Sequence, residues 1–337
     1  MPISPSLPRR FGTFAAFVCL CLVLGGCGYS DEMHERQTWR KLLWYEKYGE
    51  LDQAIDQAYV ERQKGKLSSN RLRGRFWELE QSDANFAPRF DAWVANRQSA
   101  HAYLARGWYR LERASKLRGD GPFRGIPPDR IAAMRDLAQL GSEDMGQALA
   151  KEPLCAMCVG GQMYANILLG QSDPNLIDQA LSLDPKLWQP FGLQLMSLSP
   201  QWGGSDGAMV DFIDDMERRG IDRNILDQLQ ARRLFQLGLN AQYGTRDYAE
   251  ARQIYEQALT YSADSDVLKN LAELYAIQGD IAKTASLLER DLAENDAWDL
   301  YSIEALAQAY FAGGREKDGK RMLSRRAELF SRYSNGE

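Results

Sequence analysis

The residues best suited to chemistry are Cys155-Ala156-Met157-Cys158. Two thiols at this spacing match a redox pair, and a thiolate opening a helix after Pro153 would be favoured by the helix dipole. A thioredoxin-like use wants strands around the pair, and none are predicted. Zinc wants four ligands, and the two histidines, His34 and His101, lie far away in sequence. Cys155 and Cys158 therefore read as a structural disulfide or packed thiols, with unpaired buried cysteines and redox or metal chemistry as the alternatives. His101 sits in an aromatic, alanine-rich stretch and reads as a packed or hydrogen-bonded histidine rather than a base. The acidic pairs Asp214-Asp215 and Glu289 with Asp291 read as solvated helix faces. No glycine-rich nucleotide loop follows a strand. The expectation is a protein that is not an enzyme, with no catalytic residue, metal or cofactor.

The chain opens with a basic Arg9-Arg10, then Phe11 to Leu24, an apolar run of 14 residues, too short to span a bilayer as a stable helix. It ends in Leu24-Gly25-Gly26-Cys27. This resembles a bacterial lipoprotein signal, which implies cleavage before Cys27 and lipidation, including palmitate, of its thiol. Several acyl chains would anchor the protein firmly where one would not. Gly28, where an Asp would imply retention in the inner membrane, implies the outer membrane, facing the periplasm. Three of the five cysteines (Cys19, Cys21 and Cys27) belong to this segment, so the remainder is no disulfide-built scaffold. Removing the two leader arginines takes the formal charge from −5 to −7. Such an acidic balance argues against nucleic acid as a partner. The roughly 310 residues that follow exceed one ordinary core and call for two lobes or an elongated array.

Positioning falls to helices. Trp39 to Gly65 reads as a helical hairpin turning at Gly49-Glu50-Leu51. Phe76 to Gly119 interleaves small and large residues, as closely packed helices do. Asp120 to Pro128 is a loop by its glycines and prolines. Ala148-Leu149 precedes Pro153 by the same distance as Ala180-Leu181 precedes Pro185, so 129–153 and 154–185 read as two hairpins, the second turning at residues 170–174. Pro185 to Leu198 and Asp206 to Arg219 read as a helix and its partner, and Asn224 to Tyr261 as a weak repeat. No window alternates as a strand does.

The clearest periodicity comes last. Leu271, Ala272, Tyr275 and Gly279 return 35 residues later as Leu306, Ala307, Tyr310 and Gly314. Large, small, large and then glycine suits a helix pressed against its neighbour and ended by a left-handed cap. The pattern resembles the tetratricopeptide repeat, with its period of about 34 residues. That resemblance implies an all-α fold, a right-handed α-solenoid of helical hairpins. A single hairpin cannot bury its apolar face alone, so such units stack and offer a binding surface.

A second resemblance rests on Pro200-Gln201-Trp202-Gly203-Gly204-Ser205, with Trp93-Val94 ahead of Ser99-Ala100-His101-Ala102 and the pairs Arg106-Gly107 and Arg118-Gly119. Over roughly residues 35–220 these are similar to an uncharacterised bacterial family of helical-repeat proteins, which implies fold but no activity. Asn96-Arg97-Gln98 departs from the family pattern, where a Pro precedes the serine. Physically, Gly203 and Gly204 allow a sharp turn, Ser205 can cap a helix from Asp206, and Trp202 can fill a groove between hairpins. The alternative is an anion held by the Gly-Gly-Ser amides, although Asp206 puts negative charge there.

The expected organisation is a signal peptide over 1–26, the lipidated Cys27 and tether over 27–38, a helical-repeat domain over 39–220, and tetratricopeptide-like repeats over 221–330. The expected function is a membrane-anchored periplasmic scaffold or adaptor whose groove binds a protein of an envelope complex. An inhibitor or immunity-type binder and a thiol oxidoreductase using Cys155 and Cys158 are the alternatives.

Overall fold

A computed structural model describes residues 38–80, 84–119, 125–295 and 300–334. The leader with Cys27, His34, and residues 120–124 of the expected loop lie outside the described residues. Among those described, every regular element is helical and no strand occurs. The all-helical class is as the sequence implies. The chain forms two compact units, one up to Tyr109 and one from Arg110 onward.

The first unit contains α1 (38–44), α2 (Tyr48–Gln63), α3 (Ser69–Glu80), a 3₁₀ turn (Ala84–Phe86), α4 (Ala87–Arg97) and the start of α5 (Ala100–Arg118). Leu51, Ile55 and Ala58 recur at helical spacing and are fully buried on α2. Full burial of side chains such as Leu51 and Ile55 contributes about 1.5–3 kcal/mol each. They share the unit's interior with Leu72, Phe76, Phe90 and Trp93. Trp39 meets Phe76 edge-on, their ring centroids 5.3 Å apart. The expected turn at Gly49 is a correction. Gly49 lies inside α2, and the chain reverses at Glu46, whose φ is +57°. The Lys47 amide donates to the Leu42 carbonyl at 2.8 Å, closing the cap that glycine usually closes.

The second unit continues α5 and holds α6 (Pro128–Lys151), α7 (Ala156–Leu169), α8 (Asn175–Leu183), α9 (Trp188–Ser197), α10 (Asp206–Arg218) and α11 (Arg223–Leu239). A π-helical turn (Asn240–Thr245) precedes α12 (Tyr248–Ala258), α13 (Ser265–Ile277), α14 (Ile281–Asn295), α15 (Leu300–Ala312) and α16 (Glu316–Ser334). The hairpin expected over 129–153 is instead one helix of 24 residues, α6. Its buried Met134, Ala138, Gly141, Met145 and Ala148 form a single unbroken stripe, which leaves no place for a turn. Its antiparallel neighbour is α7, which then pairs with α8. Pro153 and Pro185 do mark helix ends, at Lys151 and Leu183, but neither opens the next helix, since α7 and α9 start three residues later.

Phe191 of α9, Met209 and Ile213 of α10, and Ile225 and Leu229 of α11 share one core. Residue 220, the expected domain boundary, is an exposed glycine between α10 and α11. Beyond it come three antiparallel pairs, α11 with α12, α13 with α14 and α15 with α16, and α14 packs on α15. Leu271 and Leu306, Ala272 and Ala307, and Tyr275 and Tyr310 are all buried. Gly279 and Gly314 both adopt positive φ, +79° and +74°. The amides that follow, of Asp280 and Arg315, donate to the carbonyls of Tyr275 and Tyr310 at 2.9 and 2.7 Å. This is the same Schellman closure in both copies.

Candidate binding groove

Helices α13 and α15 turn alanines toward a shared space. Ala272 and Ala276 lie one turn apart on α13, and Ala305, Ala309 and Ala312 follow at three- and four-residue steps on α15, so each set occupies one face. A methyl group reaches no further than Cβ, so the helices leave a half-open groove of about 450 Å³ between them. Its third wall is α14, through Ile281, Thr284 and Leu288. Thr284 turns its hydroxyl inward to the Asp280 carbonyl, 2.9 Å away, which leaves its methyl group for packing.

Polar groups flank this floor. Lys269 lines the groove and lies 3.9 Å from Asp291. Asp291 is fully buried and also accepts from the Asn295 amide at 3.0 Å. The solvated Asp291 expected from sequence is thus corrected: helix phase turns it inward, under Lys269. Glu304, also on the groove, pairs with Arg326 at 3.6 Å. Glu273 accepts from the Tyr243 hydroxyl at 3.0 Å and from the Gln242 side-chain amide at 3.3 Å. Gln242 in turn accepts from the Tyr255 hydroxyl at 2.8 Å. Burial, reinforced by the neighbouring Tyr243 and Glu273, pushes the Tyr255 hydroxyl well above its ordinary pKa, so it stays a donor. The π-helical turn that carries Gln242 and Tyr243 fixes Glu273 from behind, and such turns often support functional positions. None of Gln242, Tyr243, Glu273 or Thr284 was singled out from sequence. Their roles depend on helix stacking, for which the local pattern holds no signal.

Successive hairpins are also latched. The Tyr275 hydroxyl donates to Glu256 of α12 at 2.5 Å, and the Tyr310 hydroxyl donates to Glu289 of α14 at 2.8 Å. The bond to Glu256, with burial, raises the Tyr275 pKa, and burial, with the bond to Glu289, pushes Tyr310 up to about 12. A cation covers each ring, Lys283 at 4.5 Å from the Tyr275 centroid and Arg315 at 4.1 Å from that of Tyr310.

The other expected positions fall elsewhere. Cys155 and Cys158 are joined in a disulfide at the start of α7 and are buried, where Cys155 Sγ also accepts from the Cys158 amide at 3.1 Å. Thiol exchange needs an accessible sulfur, so this burial favours a structural role. His101 stacks on Tyr59 and lies with Nε2 2.8 Å from Asp56 Oδ1. One turn earlier on α2, the buried Asp52 accepts from Trp93 Nε1 at 3.1 Å, Ser99 Oγ at 2.9 Å and Arg97 Nε at 2.8 Å. The Trp93 to His101 stretch is therefore a corner between α4 and α5, clamped by two aspartates of α2. Gln98 sits in that corner at φ +48°, a left-handed conformation that a proline cannot adopt.

At the second motif Gly203 has φ +90°, and Ser205 caps α10 by accepting from the Ala208 amide at 3.1 Å. Gly204 differs from the expectation: its need is space, since a Cβ there would lie 2.0 Å from the Leu198 carbonyl oxygen. The amides of Gly203 and Gly204 donate to the carbonyls of Pro200 and Ser199, at 3.2 and 3.1 Å. Asp206 forms a two-pronged pair with Arg233 at 2.6 and 2.5 Å. With both glycine amides committed and the Asp206 carboxylate beside it, the turn is poorly suited to an anion. Among the described residues no cluster of His, Cys, Asp and Glu could hold a metal, and no helix is long and apolar enough to cross a membrane.

No curated protein matches the sequence. Among solved structures, the chain is similar to a monomeric mutant of IFIT1 with Gppp-AAAA, at 12% identity and a TM-score of 0.33 over 88% of this chain and 78% of that one. A human IFIT1 dimer with PPP-AAAA gives 12% and 0.31 over 88% and 76%. Naa15/Naa10 bound to HypK-THB gives 13% and 0.28 over 87% and 52%. Residues 35–177, which include the Trp93 to His101 corner but not the turn at Trp202, match the family model described as Domain of unknown function (DUF4034).

Proposed function

We propose that the protein is a helical-repeat adaptor that holds a segment of a partner protein in the groove between α13 and α15. The observation that carries this reading is the alanine floor, with its half-open space of about 450 Å³, flanked by Glu273 and Glu304. Methyl groups and the walls of Ile281 and Leu288 suit a branched aliphatic side chain. With Lys269 balanced by Asp291 and Glu304 by Arg326, Glu273 is left as the groove's net charge and suits a segment carrying Lys or Arg beside that anchor. No charge-relay pair or metal set is needed for such a role. The Leu24-Gly25-Gly26-Cys27 run supports an anchored, periplasmic location for the adaptor, so the partner would belong to the cell envelope.

An array of peptides from envelope proteins, probed with the purified chain, tests the reading. Peptides joining an aliphatic residue to a basic one should bind, and Ala276→Trp or Ala305→Glu should abolish that binding while helicity is kept. Binding unchanged by both variants would remove the groove from the function. Incorporation of labelled palmitate, lost in Cys27→Ser, separately tests the anchor.

A further inference from the structure

A second cavity, of about 370 Å³, lies between the end of α7, the turn into α8, the last turns of α9 and Trp202. We infer that it binds a neutral saccharide, with Trp202 facing the sugar ring and Asn166 and Gln194 hydrogen-bonding its hydroxyls. The chemistry of the lining narrows the ligand. Asp173 is its single ionisable group; its Oδ1 accepts from the Asn175 amide and side chain at 3.0 Å each, which leaves Oδ2 to accept a ligand hydroxyl. No cation lines the cavity itself and its one carboxylate can serve as a hydroxyl acceptor, which favours a neutral, hydroxyl-bearing ligand.

Its hydrogen-bonding character follows from the amides. The side chains of Asn166 and Gln194 are half-buried, line the cavity and make no hydrogen bond with other described residues. Gln171 offers a third such amide at the rim. Each presents donors and an acceptor together, which suits a ligand dense in hydroxyl groups. Half-buried amides that face the cavity are open to a ligand's hydroxyl groups in place of water. Met163, Ile167, Leu176 and Trp202 supply the apolar side. Arg118 stacks on Trp202, its guanidinium carbon 4.8 Å from the ring centroid, and fixes the indole's orientation. A pyranose ring has this pairing of an apolar face and a hydroxyl-bearing edge. The volume falls at the small end of ligand pockets, which run from about 300 to 1,000 Å³. This also gives the Trp202-Gly203-Gly204-Ser205 turn a use: its glycine geometry and helix cap set the indole at the cavity wall.

Titration calorimetry and tryptophan fluorescence of the full chain, against methyl glucosides, methyl galactosides, N-acetylglucosamine and their disaccharides, test the inference. A blocked tri-alanine peptide serves as the competing neutral ligand. At least one saccharide should bind with one-to-one stoichiometry. Asn166→Ala and Gln194→Ala should each weaken it about three- to tenfold, the equivalent of one hydrogen bond. Trp202→Ala should abolish it, and the exposed Trp77→Phe should leave it unchanged. Circular dichroism checks each variant, and if Trp202→Ala fails to fold, the two amide variants decide the question. No binding across the panel, saccharide binding unaffected by the Asn166 and Gln194 changes, or binding of the peptide alone would overturn the inference.

Discussion

The Tyr310 hydroxyl, at the end of one repeat's first helix, donates at 2.8 Å to Glu289 on the last helix of the repeat before. Tyr275 and Glu256 make the same contact one repeat earlier. The shared residue that fills the groove within each pair thus also ties each pair to its neighbour. In a solenoid, stability is the sum of repeat terms and interface terms, so such a contact bears on how cooperatively the hairpins unfold.

Tyr310 makes this measurable through pH. Burial and the Glu289 bond raise its pKa from 10.0 to about 12, so the folded protein retains a proton that the unfolded chain loses. Its contribution is therefore complete below pH 10 and disappears as pH rises through 12. With solvent screening at the partly exposed hydroxyl, the stability lost by pH 12 should be about 1 kcal/mol. Tyr310→Phe should cost about 1 kcal/mol at neutral pH, and the variant should lack this alkaline loss. Urea unfolding of both proteins across that range gives the difference, and parallel pH curves would refute the linkage.

Asp52 should matter strongly to the stability of the first unit. Its three partners come from α4 and the corner before α5, and it is buried. Asp52→Ala strands the Trp93 indole N–H and the Ser99 hydroxyl and should cost about 3 kcal/mol. Asp52→Asn keeps an acceptor and should cost about half as much. Equilibrium unfolding measures both, and equal losses would mean that the clamp acts by shape rather than by hydrogen bonding.

What sequence could and could not reveal follows from the range of each interaction. The two late repeats were legible because Leu271, Ala272, Tyr275 and Gly279 act within one helix and its cap, and recur together. The reversal at Glu46 was not, because a glutamate at positive φ bears no compositional mark. The helix over 128–151 was misread because alanine followed by proline marks the end of any helix, hairpin or not. The buried stripe from Met134 to Ala148 held the better signal. Asp52 was invisible for another reason: its partners lie 41 to 47 residues away. The groove was hidden too, since only stacking decides which alanines face outward, and Ala272 lines it whereas its repeat mate Ala307 does not.

The Cys155–Cys158 bridge should be a modest stabiliser. It closes a loop with a sequence separation of only 3, and a loop this short removes little freedom from the unfolded chain. The chain-entropy relation gives about 2 kcal/mol. Reduction, or Cys158→Ser, should lower the melting temperature by a few degrees and leave the far-ultraviolet spectrum unchanged. Loss of helicity on reduction would show that the bridge also holds the α6–α7 junction.

Gly203 and Gly204 should separate cleanly by mutation, since they are glycine for different reasons. Gly203→Ala places a side chain at φ +90° with no atom within 4 Å, so its penalty is conformational, about 1–2 kcal/mol. Gly204→Ala drives Cβ to 2.0 Å from the Leu198 carbonyl oxygen, a backbone atom that cannot rotate away. Relief requires moving the Pro200–Trp202 turn off the end of α9, so the cost should reach about 3 kcal/mol or more. Because Trp202 rides on that turn, its fluorescence should shift in Gly204→Ala and stay near the native value in Gly203→Ala. Thermal melts with emission spectra of the two variants decide the matter, and a larger loss from Gly203→Ala would mean that the turn gives way more easily than the Leu198 contact implies.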